Sequence, residues 1–176
     1  MAIHQIQTRY DELRDRILLR VSTTDESEFQ FWLTRRFVRH LWGLLVKMLE
    51  QDRAVRQQVD PDSRREVLGI QHEGFAQQGD FSTEFENRPY RKPLGEAPVL
   101  LAKGEGKKLG DGSYLLRLHP REGQGIDMAL DTRLLHLFTK LLNDAVAHSD
   151  WDINLALHQQ AGEQAPAETA PPRKLN

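Results

Sequence analysis

The sequence predicts an α+β fold built as a tandem repeat. Each half is a set of antiparallel strands followed by a helix (βββα), and the halves are related by a pseudo-two-fold axis and joined by a partly helical connector. The main observation is that Ile17-Leu18-Leu19-Arg20 through Glu50 aligns without a gap on Tyr114-Leu115-Leu116-Arg117 through Ala147, an offset of 97, the distance from Ile17 to Tyr114. Within each copy, apolar residues first alternate with polar ones and then recur at helical spacing. The alignment also pairs Leu33 with Leu130, Arg36 with Arg133, Leu44-Leu45 with Leu141-Leu142, and Thr34 with Asp131, two residue types that cap helices. Few residue types fill a core, so chance coincidence is the competing explanation. The absence of gaps and the matched caps favour duplication. A duplicated unit that cannot close its own core buries it against its twin.

Ile3, Ile6 and Tyr10 make a loose apolar pattern. Arg16 to Val21 and Phe29 to Leu33 then alternate around the polar turn Thr23-Thr24-Asp25-Glu26-Ser27, which predicts a β-hairpin. Phe29, Phe31 and Leu33 share one face of the second strand, and Gln30 and Trp32 the other. After the cap Thr34, the residues Phe37, Leu41, Leu44, Leu45 and Met48 recur at helical spacing, with Val38, Trp42 and Leu49 widening the stripe. Gly43 is expected to mark the close approach of another backbone.

Residues 52–97 read as the connector between half one (1–51) and half two (98–158). Asp60-Pro61-Asp62-Ser63 opens a weak helix over 64–78, interrupted by Gly69 and Gly74. Phe81, Thr83 and Phe85 alternate as in a short strand, and Asn87 to Pro98 breaks regular structure with Pro89, Pro93 and Pro98. In half two, Val99 to Lys103 falls opposite Ala2 to Ile6 as a first strand, and glycines 104, 106, 110 and 112 turn the chain. Tyr114–Leu118 and Ile126–Leu130 form the second hairpin, and Asp131 caps a helix whose Leu134, Leu135, Leu137, Phe138, Leu141, Leu142, Ala145 and Val146 face inward. Trp151, Ile153, Leu155 and Leu157 add a closing segment. From Gln159 on, Ala, Pro, Glu and Gln dominate, and a disordered tail over 159–176 is expected.

A chain of 176 residues suffices for one well-buried, pseudo-symmetric domain over 1–158. Cysteine is absent, which excludes disulfides, thiolate metal sites and cysteine nucleophiles. The N-terminus lacks a basic start followed by an apolar run, and no stretch approaches the roughly 20 apolar residues that span a bilayer. A soluble, cytoplasmic protein with no membrane partner is expected. Lys and Arg total 24 against 26 Asp and Glu, a net charge of −2, so any nucleic-acid site has to be a local basic patch.

The candidate chemistry is sparse. Gly104-Glu-Gly-Lys-Lys-Leu-Gly110 lacks the Gly-Lys-Ser/Thr ending of a phosphate-cradling loop and reads as a hairpin loop, with Lys107 and Lys108 available to phosphate as simple charges. The seven histidines (His4, His40, His72, His119, His136, His148 and His158) show no paired metal spacing. No metal, cofactor or catalytic residue is therefore expected, and Asp25-Glu26 and Asp150-Trp151-Asp152 read as solvated turn acids. Arg20 and Arg117 are the repeat's matched strand cations, pointing outward, and Arg20 shares its sheet face with Trp32. Cations beside an aromatic on an open sheet suit single-stranded nucleic acid. The same residues also fit a plainer role, with Arg20 and Arg117 in cross-strand ion pairs and Trp32 filling the contact between halves. The second half has Asp127 and Ala129 where the first has Gln30 and Trp32.

The segments Asp15-Arg-Ile-Leu-Leu-Arg-Val21 with Phe29-Gln-Phe-Trp-Leu-Thr34, and Gly112-Ser-Tyr-Leu-Leu-Arg-Leu118 with Gln124-Gly-Ile-Asp-Met-Ala-Leu-Asp131, each with its following helix, carry a resemblance. The layout resembles the Whirly and purine-rich-element-binding family of single-strand nucleic-acid binders over about two-thirds of the chain. The resemblance implies interlocked repeats forming an intramolecular pseudo-dimer, and binding without catalysis. Two functions follow as expectations. One is a non-enzymatic binder of single-stranded nucleic acid using Arg20, Trp32, Lys107, Lys108 and Arg117. The other is a protein-interaction or regulatory adaptor whose Pro-rich connector or exposed edge strand receives another chain, with homo-oligomers among its outcomes.

Overall fold

Residues that alternate along the sequence fall on opposite faces of strands in the structure, a computed structural model that describes residues 2–155 and 157. Strand β1 spans Ile3–Asp11, β2 Arg16–Thr23 and β3 Glu28–Leu33, followed by helix α1 at Arg35–Leu49. Helices α2 (Arg53–Arg56) and α3 (Pro61–Gln77) lie in the connector. Strands β4 (Val99–Leu100), β5 (Lys103–Lys108), β6 (Tyr114–His119) and β7 (Ile126–Leu130) precede helix α4 (Thr132–Ala147). The fold is α+β, with one sheet ordered β1-β2-β3-β4 and a second ordered β5-β6-β7. Among the described residues, no helix is long and apolar enough to cross a membrane.

The two copies fold alike where their alignment is gapless. Ile17 pairs with Leu33 in one hairpin and Tyr114 with Leu130 in the other, the same partners at the same offset. Thr34 Oγ1 accepts the Phe37 N–H at 3.2 Å and Asp131 Oδ1 accepts the Leu134 N–H at 2.6 Å, so both helices start from equivalent caps. Each helix then packs across onto the other half: α1 lies against β5, α4 lies against β1, and the helices touch each other. Thr8 Oγ1 donates to the Leu141 carbonyl at 2.8 Å, which ties β1 to α4. The inward residues of both hairpins and both helices form a single core cluster, so neither half closes a core alone.

The entry to the second half differs from the sequence expectation. Val99 and Leu100 are not its first strand, because they lie parallel to Phe31 and Trp32 as the fourth strand of the first sheet. The chain then changes sheets: the Leu101 N–H donates to the Trp32 carbonyl and the Ala102 N–H to the His119 carbonyl, each at 3.0 Å. Lys103–Lys108, expected as a loop from Gly104 on, is the true first strand, antiparallel to β6. Its glycines serve packing rather than turning. A Cβ at Gly106 would collide with the Met48 side chain, and one at Gly104 would touch Leu44 at 3.5 Å and Phe37 at 3.6 Å. The close approach is therefore on the strand side of the helix contact. Gly43, expected to mark it, is exposed, and a Cβ there meets nothing within 4 Å.

The connector also departs from expectation. Phe81 to Phe85 forms no strand, because Asp80 accepts the backbone amides of Ser82 and Thr83 at 3.0 and 3.1 Å and curls the chain. Helix α3 opens as expected, with Asp60 accepting the Ser63 N–H at 2.8 Å and Pro61 in its first turn. The prolyl stretch is packed rather than free. Glu28 N–H donates to the Arg91 carbonyl at 2.8 Å, the Arg91 N–H donates to the Glu26 carbonyl at 2.9 Å, and Phe85 and Tyr90 are buried. Asp25 therefore meets the Arg91 guanidinium at 3.1 Å instead of solvent alone. After α4, Trp151 and Leu155 are buried in irregular chain. The Trp151 indole donates to Asp15, and the single proton of the Tyr10 hydroxyl is shared between Asp15 at 2.9 Å and Asp150 at 3.0 Å, so Asp150 is likewise engaged. His158 and the polar tail from Gln159 lie outside the described residues.

Candidate nucleic-acid interface

Strand register sets which side chains reach the outer faces. In the first sheet, Arg9 stands opposite Leu18, Leu18 opposite Trp32, and Trp32 opposite Leu100, so these four share one face. Arg16, two positions before Leu18, points the same way. The Arg14 guanidinium, from the turn between β1 and β2, lies 5.5 Å from the Trp32 ring centroid. Arg14 also pairs with Asp11 at 3.1 Å, whereas Arg9 and Arg16 make no ion pair among the described residues. Leu100 is 44% exposed, so the surface beside Trp32 is open on that side.

Arg20 shares this face but is not available. Its Nε donates to Glu28 Oε1 at 2.7 Å, its terminal nitrogens reach Asn87 at 3.2 Å and Gln7 at 3.4 Å, and its guanidinium lies 4.1 Å from the Phe85 ring centroid. Its side chain is 18% exposed and that of Glu28 3%. The connector seals it, because a cation largely out of water is stabilised by a carboxylate and an aromatic face. The ion-pair reading of Arg20 is the one the geometry supports.

On the second sheet, Glu105 stands opposite Arg117 and Arg117 opposite Asp127, with Lys103 opposite His119. Arg117 Nε donates to Asp127 Oδ2 at 3.1 Å, and His119 Nε2 lies 2.9 Å from Asp127 Oδ1. One carboxylate thus holds two side chains, while Arg117 remains 48% exposed. Lys107 lies on this outer face and is exposed. Lys108 points the other way, where its Nζ donates to the Gln51 carbonyl at 2.6 Å and sits 5.6 Å from the Tyr114 ring centroid. It closes the end of α1 and cannot serve as a free phosphate contact.

Of the five residues singled out in the sequence, the structure therefore keeps Trp32 on one outer face and Lys107 and Arg117 on the other, and it withdraws Arg20 and Lys108. No protein-family model, curated protein or solved structure matches the chain. Residues that sequence reasoning missed are Arg9, Arg14, Arg16 and Leu100 around Trp32, and Lys103, His119 and Arg121 around Arg117. One signal was present: Lys103, Glu105 and Lys107 alternate with Gly104 and Gly106, a period of two that marks a strand with a bare inner face.

A different titratable cluster lies away from both faces. His136 of α4 is 1% exposed, stacks on Phe75 at 5.0 Å, and has its Nδ1 3.2 Å from Nδ1 of His72 on α3. Burial, with His72 beside it, lowers its pKa to about 4 despite the opposing pull of Asp52. Among the described residues, no three His, Cys, Asp or Glu side chains gather as metal ligands.

Proposed function

We propose that the protein is a non-enzymatic, cytoplasmic binder of single-stranded nucleic acid that uses the outer faces of its two sheets. The observation that carries this reading is the surround of Trp32: a ring on a sheet face with Arg14 against it, Arg9 and Arg16 nearby without an ion pair among the described residues, and apolar Leu18 and Leu100 beside it. A base stacks on such a ring while guanidinium groups meet the phosphates, and stacking of this kind contributes about 1–3 kcal/mol per base. The segment from Val99 to Lys108 runs out of the first sheet into the second and so leads from Trp32 towards Lys103, Lys107 and Arg117. The net charge of −2 is compatible with binding confined to these patches. The resemblance to the Whirly and purine-rich-element-binding family agrees with this choice.

The experiment is an oligothymidylate titration at several salt concentrations. Affinity should fall as salt rises, with a slope near −0.7 for each phosphate contacted. Trp32→Ala and the pair Arg9→Ala, Arg16→Ala should each weaken it. Unchanged affinity in both variants rejects this surface.

A second reading, an adaptor for another protein chain, draws on β7. That strand ends the second sheet with no partner on its outer side among the described residues, whereas the equivalent strand β3 is covered by β4. An open edge of this kind accepts an added strand. A partner held by β7 and indifferent to oligonucleotide would favour the adaptor.

A further inference from the structure

We propose that the pocket between Lys103, Arg117 and Arg121 on the outer face of the second sheet holds a phosphate group of the bound strand. Only the source of the phosphate rests on the nucleic-acid reading above; the pocket rests on its own geometry. It is an open depression of about 340 Å³, room for a phosphate group, and His119, Glu105, Asp127, Pro120 and Gly123 complete its wall.

Charge favours an anion there. Both oxygens of Asp127 are already engaged, one by Arg117 Nε and one by His119 Nε2. The carboxylate therefore orients these side chains, and the three cations Lys103, Arg117 and Arg121 exceed the two carboxylates Glu105 and Asp127 by one positive charge. Glu105 stands 4.0 Å from Arg117 with its side chain 74% exposed, a weak and well-screened contact. Lys103 and Arg121 have no carboxylate partner among the described residues. Buried Pro120 anchors the turn that carries Arg121, and Gly123 at φ +96° lets it fold back.

The first half shows what a closed version looks like. Arg20 occupies the position equivalent to Arg117, and there Glu28, Asn87 and Phe85 fill the space in front of the guanidinium. The connector that supplies Asn87 and Phe85 exists only once in the chain, so the second half keeps its arginine open.

The test uses the full chain and the imidazole NMR signals of His119, assigned by their loss in His119→Gln. Inorganic phosphate should move them saturably, and oligothymidylate should move the same signals and compete with phosphate. The double variant Lys103→Ala, Arg121→Ala should weaken phosphate binding about tenfold or more. The equally charged loss Arg39→Ala, Lys47→Ala on the exposed side of α1 should leave it unchanged. Signals that phosphate does not move, or equal weakening in both double variants, overturn the pocket. Oligonucleotide binding that leaves His119 unmoved rejects the pocket while the nucleic-acid reading stands. Phosphate binding without oligonucleotide binding, or displacement of phosphate by an acidic peptide alone, rejects the strand as its source.

Discussion

His72 and His136 meet Nδ1 to Nδ1 at 3.2 Å, one from α3 and one from α4, in a site where His136 is fully buried and its Nε2 finds no hydrogen-bond partner among the described residues. Only one of the facing nitrogens can carry the proton if they are to hydrogen-bond. Protonating both rings sets two donors and two positive charges against each other. This contact matters because α3 is thinly held, burying only Leu68 and Gly69.

Acid should therefore loosen α3. The folded-state pKa of His136, about 4, lies below its ordinary value of 6.5, so its contribution to stability is complete above 6.5 and is lost as pH falls through 4. The full shift corresponds to about 3 kcal/mol. Denaturant midpoints measured from neutral pH down to 4 should fall in the wild type and fall less in His136→Leu. Parallel curves would show that this histidine is not the acid-sensitive group.

Breaking the pair between Arg20 and Glu28 should cost stability and leave nucleic-acid affinity alone. With both side chains largely out of water, Glu28→Ala strands a guanidinium beneath the connector and should lower stability by about 3 kcal/mol. Arg20→Ala should also destabilise, and the double variant should recover part of the loss. If Arg20→Ala instead weakens oligonucleotide binding at unchanged stability, the arginine is a contact residue after all.

Two glycine substitutions should have opposite signs. Gly106→Val drives branched carbons into Met48 and Leu44 where α1 presses on β5, an overpacking that costs about 1–3 kcal/mol. Gly43→Ala adds a methyl to an exposed mid-helix position with nothing nearby and should stabilise by about 0.5–1 kcal/mol. Thermal melts of the two variants read this directly, and equal signs would contradict the assignment of the close approach to β5.

Adjacent lysines should separate stability from binding. Lys108→Ala removes the donor to the Gln51 carbonyl at the end of α1 and should lower the melting temperature. Lys107→Ala touches nothing in the fold and should leave melting unchanged while reducing the salt slope of oligonucleotide binding by about 0.7. The reverse pattern would exchange their roles.

The sequence alone determined the two hairpins, the helices α1, α3 and α4 and their caps, because these depend on neighbours within a few positions. Thr34 and Asp131 reach amides three residues on, and the alternation of Phe31 and Leu33 with Gln30 and Trp32 separates faces whatever packs against them. It also placed Arg20, Trp32 and Arg117 on outer faces correctly, since outward direction follows from period two. Only the tertiary structure decided which of those outward groups are open. Arg20 is sealed by Phe85 and Asn87, both distant in the chain, and the glycines of β5 acquire meaning only once Met48 and Leu44 of the other half arrive. The physical reason is that partners far apart in sequence leave no periodic trace: contacts between distant segments set the sheet change at Leu101–Ala102 and the meeting of His72 with His136.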